Sequence, residues 1–191
     1  MDKFRDLPVA VIGDAMDRLG MCDAGIRAVW PGAKCTGHAF TVLVREGDNA
    51  GVHAALPYLT AGDVLVVNGG GIATRALVGE RIALRLAGIG AAGMVIDGCV
   101  RDSAEIAELG FPVWSRGTTP AGPYKNGPAI VGEPLAIGGV AVAPGDIIAA
   151  DTDGVIVIPQ HRREQVLADA LRIAEEERRA KTEQATVANP L

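Results

Sequence analysis

Cysteine and histidine are scarce in this chain, three residues of each. Cys22, Cys35 and Cys99 are scattered and form no Cys-x-x-Cys pair. That argues against a disulfide scaffold or a structural zinc site and for a reduced, cytoplasmic protein. His38, His53 and His161 show neither HxH nor HxxxH spacing, so no histidine-based metal site is expected. Aromatic residues make up only 4% of the chain. The core must therefore be built from Val, Ile, Leu and Ala. No apolar run approaches the roughly 18–20 residues needed to cross a bilayer. The opening MDKFRDLPVAVIGDAMDRLG lacks the uninterrupted apolar stretch of a signal peptide, so no membrane partner is expected. Basic residues are in deficit, 18 against 23 acidic ones, and form no stripe, so no nucleic-acid partner is expected either. The P-loop pattern GxxxxGK[ST], the dinucleotide fingerprint GxGxxG and the nucleophile frame GxSxG are all missing.

What remains is an apolar, glycine-rich chain of 191 residues, 49% hydrophobic with 25 glycines. This size suits one domain, residues 1–191, with a real core. Up to Pro120 strand and helix patterns alternate. A short amphipathic helix is expected over 7–20, with Asp14 and Asp17 on its polar side. The run AFTVLV (39–44) reads as a buried strand, DNAGVHAALPYL as a helix ending near Pro57, and Val64–Val67 as a strand entering Gly69–Gly71. A helix is expected from about Arg75 to Leu86, a strand over Met94–Ile96, a helix over SAEIAEL capped by Ser103, and a strand in FPVWSRGTTP. The alternation predicts an α/β layout with parallel strands. Beyond Pro120, clustered Gly and Pro separate short segments that read as antiparallel strands. PGDIIAADTDGVIVIP repeats the Gly-Asp turn and apolar strand of AGDVLVV. A final helix is expected over about 161–181. Val166, Ala170 and Ile173 form its apolar stripe, and EEERRAKTE is either a solvated, ion-paired end or a reach toward a neighbouring subunit.

Two strand ends could carry chemistry. In NGGGIATRALVGERI (68–82), glycines admit close backbone approach. Gly79, Glu80, Arg81 and Ile82 lie at a helix start, where free amides and the helix dipole attract a carboxylate or phosphate. Taken alone, the glycine cluster reads first as a plain loop. In VIDGCVRD (95–102), an apolar strand runs into Asp97, Gly98, Arg101 and Asp102. Ligands of open α/β sheets gather at such strand ends. Arg101 offers a planar fork for a carboxylate, and Asp102 a hard oxygen for Mg²⁺ or Mn²⁺. The bland alternative is that the pair caps the next helix. Cys99 is read as a small buried residue, Arg116 as facing a ligand or stabilising a turn, and Asp151 and Asp153 as a tight turn.

In order, GDVLVVNGGG, RALVGE, GMVIDGCVRD, FPVWSRGTTP and PGDIIAADTDGVIVIP, preceded by GDAMDRLG and PGAKCTGHAFTV, make the chain resemble the RraA-like family over about residues 8–175. That family includes metal-dependent 4-hydroxy-4-methyl-2-oxoglutarate aldolases, which often also decarboxylate oxaloacetate, and RraA, an inhibitor of ribonuclease E. The resemblance implies an α/β/β sandwich of the swivelling, phosphohistidine-domain-like type, assembled as a trimer or hexamer with sites between subunits. It places a substrate carboxylate at the backbone of Gly79, Glu80, Arg81 and Ile82. It gives Arg101 the substrate, and makes Asp102 the one protein ligand of a divalent cation, Mg²⁺ or Mn²⁺. Glu80 falls where the aldolases carry an acid that orients a water on the metal. Asn68 departs from an Asp common in relatives. Among Glu175, Glu176 and Glu177, one would complete a neighbour's site.

The chemistry implied is a retro-aldol or decarboxylating cleavage of a small 2-oxo acid to pyruvate, with Glu80, Arg101 and Asp102 as catalytic residues. Lys3, Lys34, Lys125 and Lys181 all lie away from the two motif segments in the sequence, which suits a mechanism without a Schiff base. The rival expectation is a non-catalytic regulator whose partner is ribonuclease E. A swivelling transfer domain is disfavoured, because no histidine sits in a turn poised for phosphoryl transfer.

Overall fold

The computed structural model describes the backbone of residues 2–188 and the side chains of residues 3–184. Its helices are α1 (Asp2–Arg5), α2 (Val9–Ala15), α3 (Ala50–Ala55), α4 (Glu80–Ile89), α5 (Ser103–Leu109) and α6 (Arg163–Ala188). Its strands are β1 (Arg27–Ala28), β2 (Cys35–Val44), β3 (Asp63–Asn68), β4 (Ala76–Val78), β5 (Gly93–Val100), β6 (Val113–Thr118), β7 (Ala129–Val131), β8 (Leu135–Ile137), β9 (Val140–Val142), β10 (Ile147–Asp151) and β11 (Gly154–Ile158).

Strands β2, β3, β5 and β6 run parallel, as the alternation predicts, and β4 joins β5 in the same sense. The later strands are antiparallel: β10 lies between β2 and β11, and β8 pairs with β9. The main sheet has the order β1-β6-β5-β3-β2-β10-β11. It curls until β1 and β11, the two ends of that order, come near each other. The β8–β9 hairpin lies inside the curl, where Ile137 and Val142 pack on Val64, Val66, Val95 and Trp114. On the outer face, α3, α4 and α5 cover β3 and β5 through Val52, Ala83, Leu86 and Ile106. A third apolar layer packs α1, α2 and α6 on β10 and β11, with Val166 and Ala170 buried as the stripe predicts. The result is the α/β/β layering expected. β3 and β5 are buried on both faces, which is why they read as continuous apolar runs and not as alternating ones.

Local boundaries differ from the sequence reading in several places. The first helix stops at Ala15, because Asp17 and Arg18 take positive φ and turn the chain away. The helix expected from Arg75 starts only at Glu80: Ala76–Val78 is extended and hydrogen-bonds alongside β5. The strand expected over Met94–Ile96 runs from Gly93 to Val100, crossing a register shift between Ile96 and Cys99. The last helix begins after a short turn at 160–162 and runs beyond 181, along EEERRAKTE, where ion pairs take over from apolar packing.

One buried carboxylate fixes the loop that follows β6. Asp48 is 1% exposed and accepts the amides of Ala50, Asn126 and Gly127, with Arg45 beside it at 3.3 Å. Arg75 holds the same loop from the other side. It donates to the Gly122 carbonyl and stacks on Tyr124, its guanidinium 4.0 Å from the ring centre. Burial raises the Asp48 carboxyl, but the three amides and Arg45 outweigh it and hold the group below its ordinary value.

Two outcomes follow. Leu65 is wholly buried in the central strand, and Leu65→Ala is expected to cost about 2–5 kcal/mol, read as a fall in Tm and in denaturant midpoint. Because the folded value of Asp48 lies below the unfolded one, its contribution is full above about pH 4 and is lost as pH falls through the folded value. Asp48→Asn should therefore lower stability at pH 7 by about 1–3 kcal/mol and flatten the acid limb of a Tm-against-pH series.

Candidate active site

β5 ends at Val100, and the next two residues build the site. The Arg101 amide donates to the Val78 carbonyl at 3.0 Å, so the end of β5 is tied to the end of β4. Asp102 then adopts a left-handed conformation, φ 56° and ψ 42°, which a residue with a Cβ rarely takes. It stands at the N-cap position of α5, where Ser103 was expected, yet its side chain makes no cap hydrogen bond there. The left-handed turn instead sends the carboxylate across to α4. Its Oδ2 accepts the Glu80 amide at 3.1 Å and lies 3.4 Å from Arg101 Nε.

Gly79 makes this approach possible. A Cβ at that position would collide with the Asp102 carboxylate and press on the Arg101 side chain. Its carbonyl accepts the amides of both Ile82 and Ala83, closing the first turn of α4 tightly. The anion-binding edge expected across 79–82 is thus partly committed inside the protein: the Glu80 amide serves Asp102 and the Ile82 amide turns back to Gly79.

These groups border a cavity of about 240 Å³. Of the residues singled out from sequence, Gly79, Arg81, Ile82, Arg101 and Asp102 line it. Glu80 joins through its backbone amide, and its side chain is not part of the lining. The sequence reading missed four polar or basic wall residues: Asn49, His53, Arg85 and Lys125. Arg85 was legible as one helical turn after Arg81. Asn49 and His53 come from the start and body of α3, and Lys125 from the loop after β6. Lys125, remote from both motifs in sequence, is carried to the cavity by the loop that Asp48 and Arg75 hold.

Several other candidates have structural partners. Arg116 lies between Asp97 and Asp23, contacting both carboxylates, and so stabilises a turn and does not line the cavity. Asp97 also accepts the Gly138 amide, which pins the inner hairpin to β5. Asn68 donates to the Ala136 carbonyl and accepts the Gly70 amide, a tie that an Asp could make only in part. Asp151 accepts the amides of Asp153 and Val9 in the expected tight turn. Cys99 is buried, and burial pushes the Cys22 thiol to about 12, which leaves it inert as a nucleophile. Glu175 pairs with Arg178 and Arg179, Glu176 with Arg172 and Glu177 with Lys181, all along α6.

The donor set bears on a metal. Among the described residues no three His, Cys, Asp or Glu side chains cluster. Asp102 is the one acid lining the cavity, and its Oδ1 receives no hydrogen bond among the described residues. That fits a hard cation held by one carboxylate and otherwise by water and substrate, the mode that Mg²⁺ and Mn²⁺ tolerate.

Comparison with known proteins bears on the family. The family model described as "RraA-like: Aldolase/RraA" matches residues 9–157. A protein of Halalkalibacterium halodurans, described as a candidate 4-hydroxy-4-methyl-2-oxoglutarate aldolase, is 39% identical over 168 residues, 88% of this chain and 80% of its own length. The crystal structure of Streptomyces coelicolor RraAS2, described as an unusual member of the RNase ES inhibitor RraA protein family, superposes with a TM-score of 0.86 at 30% identity, covering 95% of this chain and 96% of that one. The RNA-processing inhibitor RraA from Thermus thermophilis superposes with a TM-score of 0.74 at 32% identity, covering 81% and 93%. No helix among the described residues is long and apolar enough to cross a membrane. With its curled mixed sheet, its inner hairpin and an Arg–Asp pair at the end of β5, this chain belongs to the RraA-like family.

Proposed function

We propose that the chain is a divalent-metal-dependent lyase that cleaves 4-hydroxy-2-oxo acids of the 4-hydroxy-4-methyl-2-oxoglutarate type to pyruvate, with oxaloacetate decarboxylation as a second activity. One observation carries the reading: the Arg101 guanidinium and the Asp102 carboxylate meet the start of α4 at the edge of a cavity.

A retro-aldol breaks the C3–C4 bond of its substrate. The electron pair moves toward the C2 carbonyl oxygen, the C4 hydroxyl gives up its proton as that carbon becomes a carbonyl, and C3 later takes a proton to give pyruvate. The reaction therefore needs an anchor for the C1 carboxylate, positive charge near the C2 oxygen and a route for protons. Arg101 supplies a planar fork and a fixed positive charge that need not reorganise as negative charge develops. The N-terminal end of α4 adds its dipole beside the same wall. Asp102 would hold the cation, and a 2-oxo acid brings two oxygens of its own. When bound, the ion supplies Lewis-acid charge to the carbonyl. The Glu80 amide keeps the Asp102 carboxylate in place, and the Glu80 side chain, outside the cavity lining, would take the water-orienting role in proton transfer only by turning toward the bound ion. A trimer or hexamer belongs to the same reading. Glu175, Glu176 or Glu177 would then exchange its partner on α6 for a neighbour's site.

The likeness to RraA structures favours a second reading, a protein regulator of ribonuclease E that needs no catalytic metal. Pyruvate release coupled to lactate dehydrogenase, set beside a ribonuclease E pull-down, separates the two. Asp102→Ala is expected to abolish EDTA-sensitive pyruvate release from oxaloacetate, and full activity in that variant would sink the metal assignment. Arg101→Lys keeps a charge but loses the fork. It should lower kcat/KM by about 100-fold or more, the scale of losing one preorganised contact to a developing oxyanion.

A further inference from the structure

The lyase reading depends on where the Arg101 guanidinium stands, yet little on its own strand fixes it. Among the described residues its side chain makes no hydrogen bond, and its one charged partner is Asp102 at a loose 3.4 Å. The side chain is 41% exposed. A long cationic side chain in that state samples several rotamers unless packing removes them. Two glycines supply the packing. Gly79 lies against the stem and Nε. Gly122, from the loop after β6, lies against the tip: a Cβ there would stand 3.1 Å from Arg101 Nη1. Its chain neighbours aside, that Cβ would meet nothing else within 4 Å among the described residues. Gly122 does not take a positive φ, so its missing side chain answers to room beside Arg101 and not to backbone conformation.

The loop around Gly122 has many ties of its own. The Thr119 amide donates to the Val100 carbonyl, and the Ala121 carbonyl accepts the Ala76 amide. The Tyr124 amide donates to Gly47 and its carbonyl accepts the Asn49 amide. The amides of Asn126 and Gly127 go to Asp48. These bonds place the loop on either side of Gly122 and Pro123, but Pro123 has no amide to donate. Arg75 fills the gap. Its Nη1 donates to the Gly122 carbonyl at 2.7 Å and its Nη2 to the Tyr124 hydroxyl at 2.9 Å, while its stem packs against Gly47. Among the described residues it pairs with no carboxylate. Both arms of its fork therefore go to the stretch that touches Arg101.

We propose that Arg75 is a positioning residue of the active site: by pinning Gly122 it sets the wall that holds the Arg101 guanidinium on the Gly79 side. This rests on the lyase reading above, in which Arg101 faces the charge that develops on the C2 oxygen. Arg75 acts on the reaction only through Gly122 and Arg101. A group misplaced by about 1 Å in a site can cost on the order of 100-fold in rate. A shift of a few tenths of an ångström at Arg101, the room that Gly122→Ala would take away, is therefore expected to cost about tenfold.

The test uses the full-length chain, and its first arm needs no turnover. Arginine side-chain ¹H–¹⁵Nε spectra read Arg101 directly, its signal assigned by its absence in Arg101→Lys. That signal should lose order in Arg75→Gln, shift in Gly122→Ala, and stay unchanged in Arg27→Gln, an exposed arginine outside this cavity. Melting curves confirm that each variant is folded. The second arm is a double-mutant cycle on kcat/KM for pyruvate release from oxaloacetate. Arg75→Gln and Gly122→Ala should each lose at least about tenfold in the wild-type background, and less than about threefold in the Arg101→Lys background, where the group they position is already gone. A merely structural arginine would cost the same whatever stood at position 101. An unchanged Arg101 signal in either variant, or equal losses in the two backgrounds, overturns the positioning role. The two readings fail separately. The expected change in the Arg101 signal, with no pyruvate formed from any 2-oxo acid, upholds the positioning and sinks the lyase. Pyruvate formed with equal losses in both backgrounds upholds the lyase and sinks the positioning.

Discussion

A single carboxylate reaching from the end of one strand to the start of the next helix holds the site together. Asp102 Oδ2 accepts the Glu80 amide, and the reach is short enough only because Gly79 has no side chain. The cost is a left-handed backbone at a residue with a Cβ, on the order of 1–2 kcal/mol. That cost secures a geometry that no helix cap would give. In a capping role the carboxylate would turn inward to its own helix; here it faces α4 and the cavity, with one oxygen left over. Strain at a bordering residue is tolerated where the surrounding strands over-determine the backbone. The tie from the Arg101 amide to the Val78 carbonyl does this, locking β4 to β5 directly beneath the pair.

β5 carries two arginine–aspartate contacts of different kinds, and comparing them explains their roles. Asp97 and Arg116 are largely covered, with 11% and 25% of their side chains exposed, and every charge there is met: Asp23 and the Gly138 amide complete the network. Such a set fixes the inner hairpin against the sheet and has nothing left for a ligand. Arg101 and Asp102 are 41% and 34% exposed, paired at a looser 3.4 Å, and border an open cavity. Solvent-exposed pairs add little stability. Their placement is therefore better explained by what they can bind than by what they hold up.

Much of this was legible in the sequence, for identifiable reasons. Parallel strands announced themselves as unbroken β-branched runs, because both faces of β3 and β5 are buried. The Gly-Asp turns marked where β3 and β10 begin. The pairing of 79–82 with 101–102 followed from strand ends meeting a glycine-led helix. Illegible were features that depend on long-range contacts. The extended Ala76–Val78 looks helical by composition and is strand because β5 offers it hydrogen bonds. Asp102 displaced Ser103 at the helix start because its partner lies 22 residues away in sequence. Lys125 looked remote because nothing local reveals that Asp48, 78 residues from Asn126, anchors its loop at the cavity wall.

That loop also bears on the choice between enzyme and regulator. The cavity wall is assembled from α3, α4, the β5 end and a clamped loop. Buried ties at Asp48 hold the loop at the wall, so positive charge is preorganised there. Preorganised charge lowers a barrier only where charge develops in a reaction, or strengthens binding only where an anion is held in place. A small anionic substrate would meet both conditions at one cavity.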